Sequence, residues 1–133
     1  MFNYETTMTG ASEIQKVWSL YSDVQKWNLW DKSVKEVKLF GDFCVGTEGL
    51  MIMTDNTSLP ILLTECTENK SFTTQAKLGS VTVTFGHLLK DGKKGITITH
   101  TVTIEGGDEN QMKGMGEAIT AGIPDCLQLL LSL

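Results

Sequence analysis

The chain has no arginine: all eleven of its basic residues are lysines. A planar guanidinium that grips carboxylate or phosphate through two parallel hydrogen bonds is therefore missing, which argues against an anionic substrate held deep inside. Sixteen acidic residues outnumber the lysines, for a formal net charge of −5. No clustered positive charge is there to meet a phosphate backbone, so nucleic acid is not expected as a partner. Cysteine is scarce. Cys44, Cys66 and Cys126 are odd in number and lack a CxxC spacing, which fits small buried hydrophobes in a reducing compartment rather than disulfides or zinc. No apolar run nears the roughly 20 residues of a membrane span. The opening MFNYETTMTG has neither a charged n-region nor an apolar h-region. A Gly-rich phosphate loop, a Ser-His-Asp order and a metal motif are also missing. The expectation is a cytoplasmic protein that does not insert in membranes and carries no cofactor and no metal.

What is present is the patterning of a single domain over residues 1–133. Phe2–Thr9 alternates as a first strand. Ser12 and Gln15 have capping-box spacing, and behind them Ile14, Val17, Trp18 and Tyr21 share one face of a short helix. Asp23 is placed to cap a second short helix through Trp27. Val34–Phe40 is a strand. Five more follow at period two: Thr47–Thr54, Leu59–Thr67, Ser71–Leu78, Val81–Lys90 and Gly95–Glu105. Short turns separate them, so they form an antiparallel meander.

From Gly107 to Leu133 the apolar residues Met112, Met115, Ile119, Ile123, Leu127 and Leu130 recur in steps of three or four, a helical stripe. Pro124 should kink or split that helix. Gly114, Gly116 and Gly122 need a reason, since each costs a helix about 1 kcal/mol. Close backbone approach is one reason, and room for a ligand is another. The class is α+β: a curved seven-stranded antiparallel sheet around a long C-terminal helix, with two short helices between strands 1 and 2. Sheet and helix cannot match curvature everywhere, and a gap between them is a natural binding site.

The turns predict the strand registers. Centring them at Asn69-Lys70, Gly79-Ser80 and Gly92-Lys93 pairs Glu65 with Thr74, Thr74 with Phe85, Phe72 with His87, Phe85 with His100, and His87 with Ile98. The shared inner face then carries Ile61, Leu63 and Glu65; Phe72, Thr74 and Ala76; Val81, Val83, Phe85 and His87; and Ile98, His100, Val102 and Ile104. A one-residue slip would turn a strand's whole set to the other face. Glu65 would lie about 14 Å from His100 across three strand spacings, too far for a direct acid–base dyad. The histidines can equally be satisfied core residues, and Glu65 can sit at the rim in water. Met51, Met53, Met112 and Met115 suit either ordinary core or an adaptable pocket lining.

The run from Ala11 to Asp23, then Trp27-x-x-Trp30-Asp31, then Gly46-Thr47-Glu48-Gly49, resembles the START-like (SRPBCC) superfamily. This is the helix-grip fold of polyketide cyclase/dehydrase-like and lipid-transport proteins. The ending Gly114–Leu133, with Gly-Ile-Pro-Asp-Cys-Leu before a leucine-rich tail, is similar to that group's closing helix. The resemblance implies an internal, mostly apolar cavity between sheet and closing helix, with Trp30 near its mouth.

The expected ligand-binding residues are Trp30, Glu65, Phe72, Thr74, Phe85, His87, His100, Met112, Met115 and Ile119. The first functional expectation is binding of a small hydrophobic molecule: a lipid, polyketide or aromatic metabolite. The alternative is a cyclase- or dehydratase-type enzyme with His100 as general acid or base and Glu65 or His87 orienting a carbonyl or enol. A further alternative is an interaction module akin to the superfamily's chaperone activators. The glycine half of the last helix is expected to roof the cavity, and its leucine half to anchor it.

Overall fold

The computed structural model describes residues 1–133 throughout. The chain runs β1 (Phe2–Gly10), α1 (Ile14–Ser22), a 3-10 turn at Val24–Lys26, α2 (Trp27–Trp30), β2 (Val34–Leu39), β3 (Glu48–Met53), β4 (Ser58–Thr67), β5 (Ser71–Leu78), β6 (Val81–Gly92), β7 (Gly95–Glu105), α3 (Glu109–Thr120) and α4 (Ile123–Ser132). The seven strands form one antiparallel sheet in the order β1-β7-β6-β5-β4-β3-β2. β1 and β2 are its two edges, so α1 and α2 carry the chain across its width. No helix is long and apolar enough to cross a membrane.

Period-two patterning sets the two faces. On β7, Ile96, Ile98, His100, Val102 and Ile104 are buried, while the alternating threonines are only partly so. Outer-face hydroxyls pair across strands, Thr7 with Thr99 and Thr9 with Thr97, each at 3.0 Å. The β5–β6 register is as the Gly79-Ser80 turn predicts, with Phe72 opposite His87 and Thr74 opposite Phe85. Gly79 takes φ +66 there, a left-handed conformation that a Cβ would strain.

The other two registers differ from expectation. The β6–β7 turn is centred on Lys93-Lys94, because Gly92 pairs with Gly95. That moves the pairing by two residues, so His87 faces His100 rather than Ile98, and Phe85 faces Val102 rather than His100. An even shift leaves every side chain on its expected face. On β4 a bulge between Leu63 and Glu65 changes the parity. Leu63 pairs with Thr74, while Glu65 pairs with Thr73 and points outward. Its carboxylate accepts from the hydroxyls of Thr67 and Ser71, both at 2.9 Å, and of Thr73 at 3.3 Å. An ionised carboxylate on the apolar face would have no such partners, which is why the bulge is the cheaper arrangement.

The helix ends also correct the sequence reading. The capping box at Ser12 does not form. α1 begins at Ile14 with no side-chain cap, and Ser12 Oγ is buried without a partner. Asp23 does cap the 3-10 turn, accepting from the Gln25 amide at 3.1 Å. Asp108 caps α3 through the Gln111 amide at 2.8 Å. The long last helix is split at Ala121-Gly122, and Pro124 falls in the first turn of α4, where its missing N–H leaves no bond unmade.

α3 and α4 lie over β1 and β7, and α4 also packs on α1 and α2. The buried core divides in two. The larger part joins α1, α2 and α4 to Val37, Leu63, Phe72 and Ile98 of the sheet. The smaller holds Val81, Val83, Val102, Ile104 and Met112. Gly116 does not roof a cavity. It is buried against β1, and a Cβ there would lie 2.5 Å from the Phe2 ring. Gly116→Leu is therefore expected to overpack this contact and cost about 1–3 kcal/mol in urea unfolding. A fully stable variant would show that α3 is free to lift from Phe2.

Candidate functional site

A cavity of about 410 Å³ lies between the inner sheet face and the α3–α4 junction, bridging the two parts of the core. That is within the usual range for small-molecule sites. Trp27 and Trp30 form one wall. Their indole N–H groups donate to the carbonyls of Tyr21 at 2.7 Å and Leu20 at 3.0 Å, which fixes both rings. Met51, Met53 and Leu59 line the β3–β4 side, and Ala76, Leu78, Val83, Phe85 and Val102 the sheet floor. Ile119, Ile123, Cys126 and Leu129 close it from the helices. Lys32, Ser33, Ala118, Gly122 and Asp125 are exposed lining residues and mark the rim.

Polar groups are few on this lining, and two of them are His87 and His100. They sit opposite one another on β6 and β7, with ring centres 4.6 Å apart at 76°. No hydrogen bond joins the rings. His87 Nδ1 lies 3.1 Å from the Phe72 carbonyl, which can only accept, so Nδ1 carries the proton and donates. His100 Nε2 lies 2.7 Å from the Tyr21 hydroxyl. Tyr21 is fully buried and its hydroxyl has no other partner. The phenol proton is therefore donated to His100 Nε2, and His100 keeps its own proton on Nδ1.

This leaves His87 Nε2 as a free acceptor and His100 Nδ1–H as a free donor. Neither is sealed off, since Ser12 Oγ alone is a fully buried side-chain polar atom without a partner. Thr74 Oγ1, also on the cavity wall, is likewise unpartnered.

Burial holds His87 down to about 4, with the donation to Phe72 pulling weakly the other way. Burial, and secondarily the neighbouring His87, holds His100 well below 6.5. Burial also lifts the Tyr21 phenol well above its usual range. Burial first, then the carboxylates of Asp31 and Asp125, push the Cys126 thiol up to about 12, so it is no nucleophile at neutral pH. No group of three or more His, Cys, Asp or Glu side chains is arranged to hold a metal.

Of the residues expected at a ligand site, Trp30, Thr74, Phe85, His87, His100 and Ile119 lie on this wall. Phe72 lies behind it, fully buried and stacked on His87 with ring centres 3.9 Å apart at 4°. Met112 and Met115 pack into the smaller core part instead. Glu65 is on the outer face. Sequence reasoning missed Cys126 and Leu129, spaced as one helical face, because the break at Gly122 decides which side of α4 turns inward. It also passed over Trp27, Ala76, Val83 and Val102. The last three were already on the predicted inner face, so period two was signal enough.

This architecture recurs in solved structures. Protein MLL2253 from Mesorhizobium loti superposes with a TM-score of 0.81 over 98% of this chain and 95% of its own, at 13% identity. Ara h 8.0201 does so at 0.73 over 99% of both chains, also at 13% identity. The di-domain ARO/CYC StfQ from the steffimycin biosynthetic pathway gives 0.76 over 98% of this chain and 49% of its own, again at 13%. No protein-family model matches the sequence, and no curated protein is similar enough to match it. What these similarities share is the fold, and the chain has the helix-grip fold.

The buried histidines predict an acid-sensitive fold. His87 has an ordinary value of 6.5 and a folded value of about 4. Between these the unfolded chain binds more protons. Stability should thus be complete above about pH 6.5 and fall towards pH 4, by about 3 kcal/mol from His87 alone. Urea unfolding at about pH 7 and about pH 4.5 checks this. His87→Phe should reduce the fall, and an equal fall in both proteins would contradict it.

Proposed function

We propose that the chain binds a small hydrophobic molecule (a lipid, polyketide or aromatic metabolite) in the cavity between the sheet and the α3–α4 junction. The observation that carries this reading is the cavity of about 410 Å³ itself, walled by tryptophan, methionine and aliphatic side chains with few free polar atoms. Emptying such a space of water and filling it with apolar surface is favourable at about 25 cal/mol per Å² buried. The fold supports the reading too. One neighbour, StfQ, is an ARO/CYC protein of a biosynthetic pathway, and another, DynU16, belongs to the dynemicin biosynthetic locus.

The second reading is a cyclase- or dehydratase-type enzyme, and the Tyr21–His100 hydrogen bond is the observation in its favour. His100 could give up its Nδ1 proton only if Tyr21 refilled Nε2, which would leave a phenolate in a fully buried site. His87 Nε2 could accept a proton, but burial makes it a weak base with a value of about 4. Glu65, the expected orienting carboxylate, is outside. Binding is therefore the stronger reading, with any chemistry left to the ligand's own groups.

The neutral fluorophore N-phenyl-1-naphthylamine tests the site. Its emission should rise on saturable one-to-one binding. A Cβ on Gly122 at the rim meets nothing within 4 Å, so a larger side chain fits there without disturbing the fold and narrows the rim. Gly122→Leu should weaken binding about tenfold or more with the fold intact, equivalent to roughly 1.4 kcal/mol. Unchanged affinity would place the pocket elsewhere.

A further inference from the structure

The cavity wall offers a matched pair: an acceptor, His87 Nε2, and a donor, His100 Nδ1–H. Both roles follow from what the other ring nitrogen does. The Phe72 carbonyl accepts a hydrogen bond from His87 Nδ1–H, and the sealed Tyr21 hydroxyl donates one to His100 Nε2. The rings are 4.6 Å apart at 76° and do not bond each other. An apolar guest without polar groups would take both nitrogens away from water and leave them unpaired, which is costly.

A hydroxyl is donor and acceptor on one atom and can answer both. A ketone or ether can take the His100 proton but leaves the His87 lone pair facing another lone pair. A carboxylate has the same fault and adds a charge. The one cationic side chain on the lining, Lys32, is exposed at the rim, where Asp31 and Asp125 also stand.

Resting on the ligand-binding reading above, we propose that the cavity selects neutral apolar molecules bearing a phenol- or alcohol-type hydroxyl, which donates to His87 Nε2 and accepts from His100 Nδ1–H. Thr74 Oγ1, on the same wall, is free to meet a second oxygen. The low proton affinity of both buried imidazoles keeps the pair in this uncharged state at neutral pH.

Three probes of one ring system separate the possibilities: 2-naphthol, its methyl ether 2-methoxynaphthalene, and 2-naphthoate. Each is titrated calorimetrically at neutral pH into the wild-type chain and into His87→Phe. 2-Naphthol is expected to bind about tenfold tighter than the ether, the worth of one well-made buried hydrogen bond, and 2-naphthoate weaker than either. In His87→Phe the alcohol and ether should come within about twofold of each other, with the ether still bound. Equal binding of alcohol and ether by the wild-type chain would overturn the hydroxyl proposal while leaving the ligand-binding reading standing. So would tightest binding of the naphthoate, or an unchanged preference in a folded His87→Phe. If none of the three binds while N-phenyl-1-naphthylamine does, this proposal fails alone; if that probe does not bind either, the ligand-binding reading fails with it. The wild-type series decides on its own should the variant not fold.

Discussion

One buried hydrogen bond, from the Tyr21 hydroxyl to His100 Nε2, ties the first helix to the last strand across 79 residues of chain. The rest of the interior is arranged so that this bond stays dry. Tyr21 packs against Phe72 at 4.9 Å and Trp30 at 5.5 Å between ring centres, and Trp18 stands edge-on to it at 6.3 Å. Breaking the bond from either side would strand a polar atom in the core, at a cost of about 1–3 kcal/mol. It also settles which nitrogen of His100 is left for the cavity. A contact made for folding thereby decides the chemistry of the site.

The fold draws little on charge. The sole ion pair joins the N-terminal ammonium to Glu109 at 3.1 Å and is exposed. Such pairs add little, and the carboxylates that shape the fold, Asp23, Asp108 and Glu65, do so by accepting hydrogen bonds rather than by pairing with lysines. Packing and backbone pairing carry the structure, and at two places they accept a local fault. Ser12 Oγ is buried unpaired. Two core parts fail to meet, and the space between them is the cavity. The split of the last helix belongs to the same geometry. With Gly122 between them, α3 can follow β1 through the Gly116–Phe2 contact while α4 turns to α1 and α2.

The fold class and the inner and outer faces of most strands were legible in the sequence, and what was not has physical reasons. Period two assigned His87 and His100 to the inner face because a turn displaced by one position shifts the pairing by two, which preserves the face. It could not say that they stand opposite one another, since Gly92, Lys93, Lys94 and Gly95 allow more than one turn centre. Glu65 was misplaced because the bulge at Thr64 has no glycine or proline to mark it. Its hydroxyl partners Thr67, Ser71 and Thr73 were visible only as ordinary strand residues. In the sequence Tyr21 is one of four residues on a buried helix face. Its role as the partner of His100 depends on how α1 docks on the sheet, a long-range fact that no local pattern encodes. The glycines of the last helix have two reasons, a close approach at Gly116 and an open rim at Gly122, and composition cannot tell them apart.

The cavity's chemistry depends on two uncharged imidazoles with their protons on Nδ1. Long-range proton–nitrogen correlation spectra of the two histidine rings test this most directly, recorded from neutral pH down to about pH 5. Both rings should be neutral at pH 7 with the proton on Nδ1, and the wild-type pattern of His100 should be lost in Tyr21→Phe. A charged ring at neutral pH, or a proton on Nε2 of His100 in the wild-type chain, would contradict it.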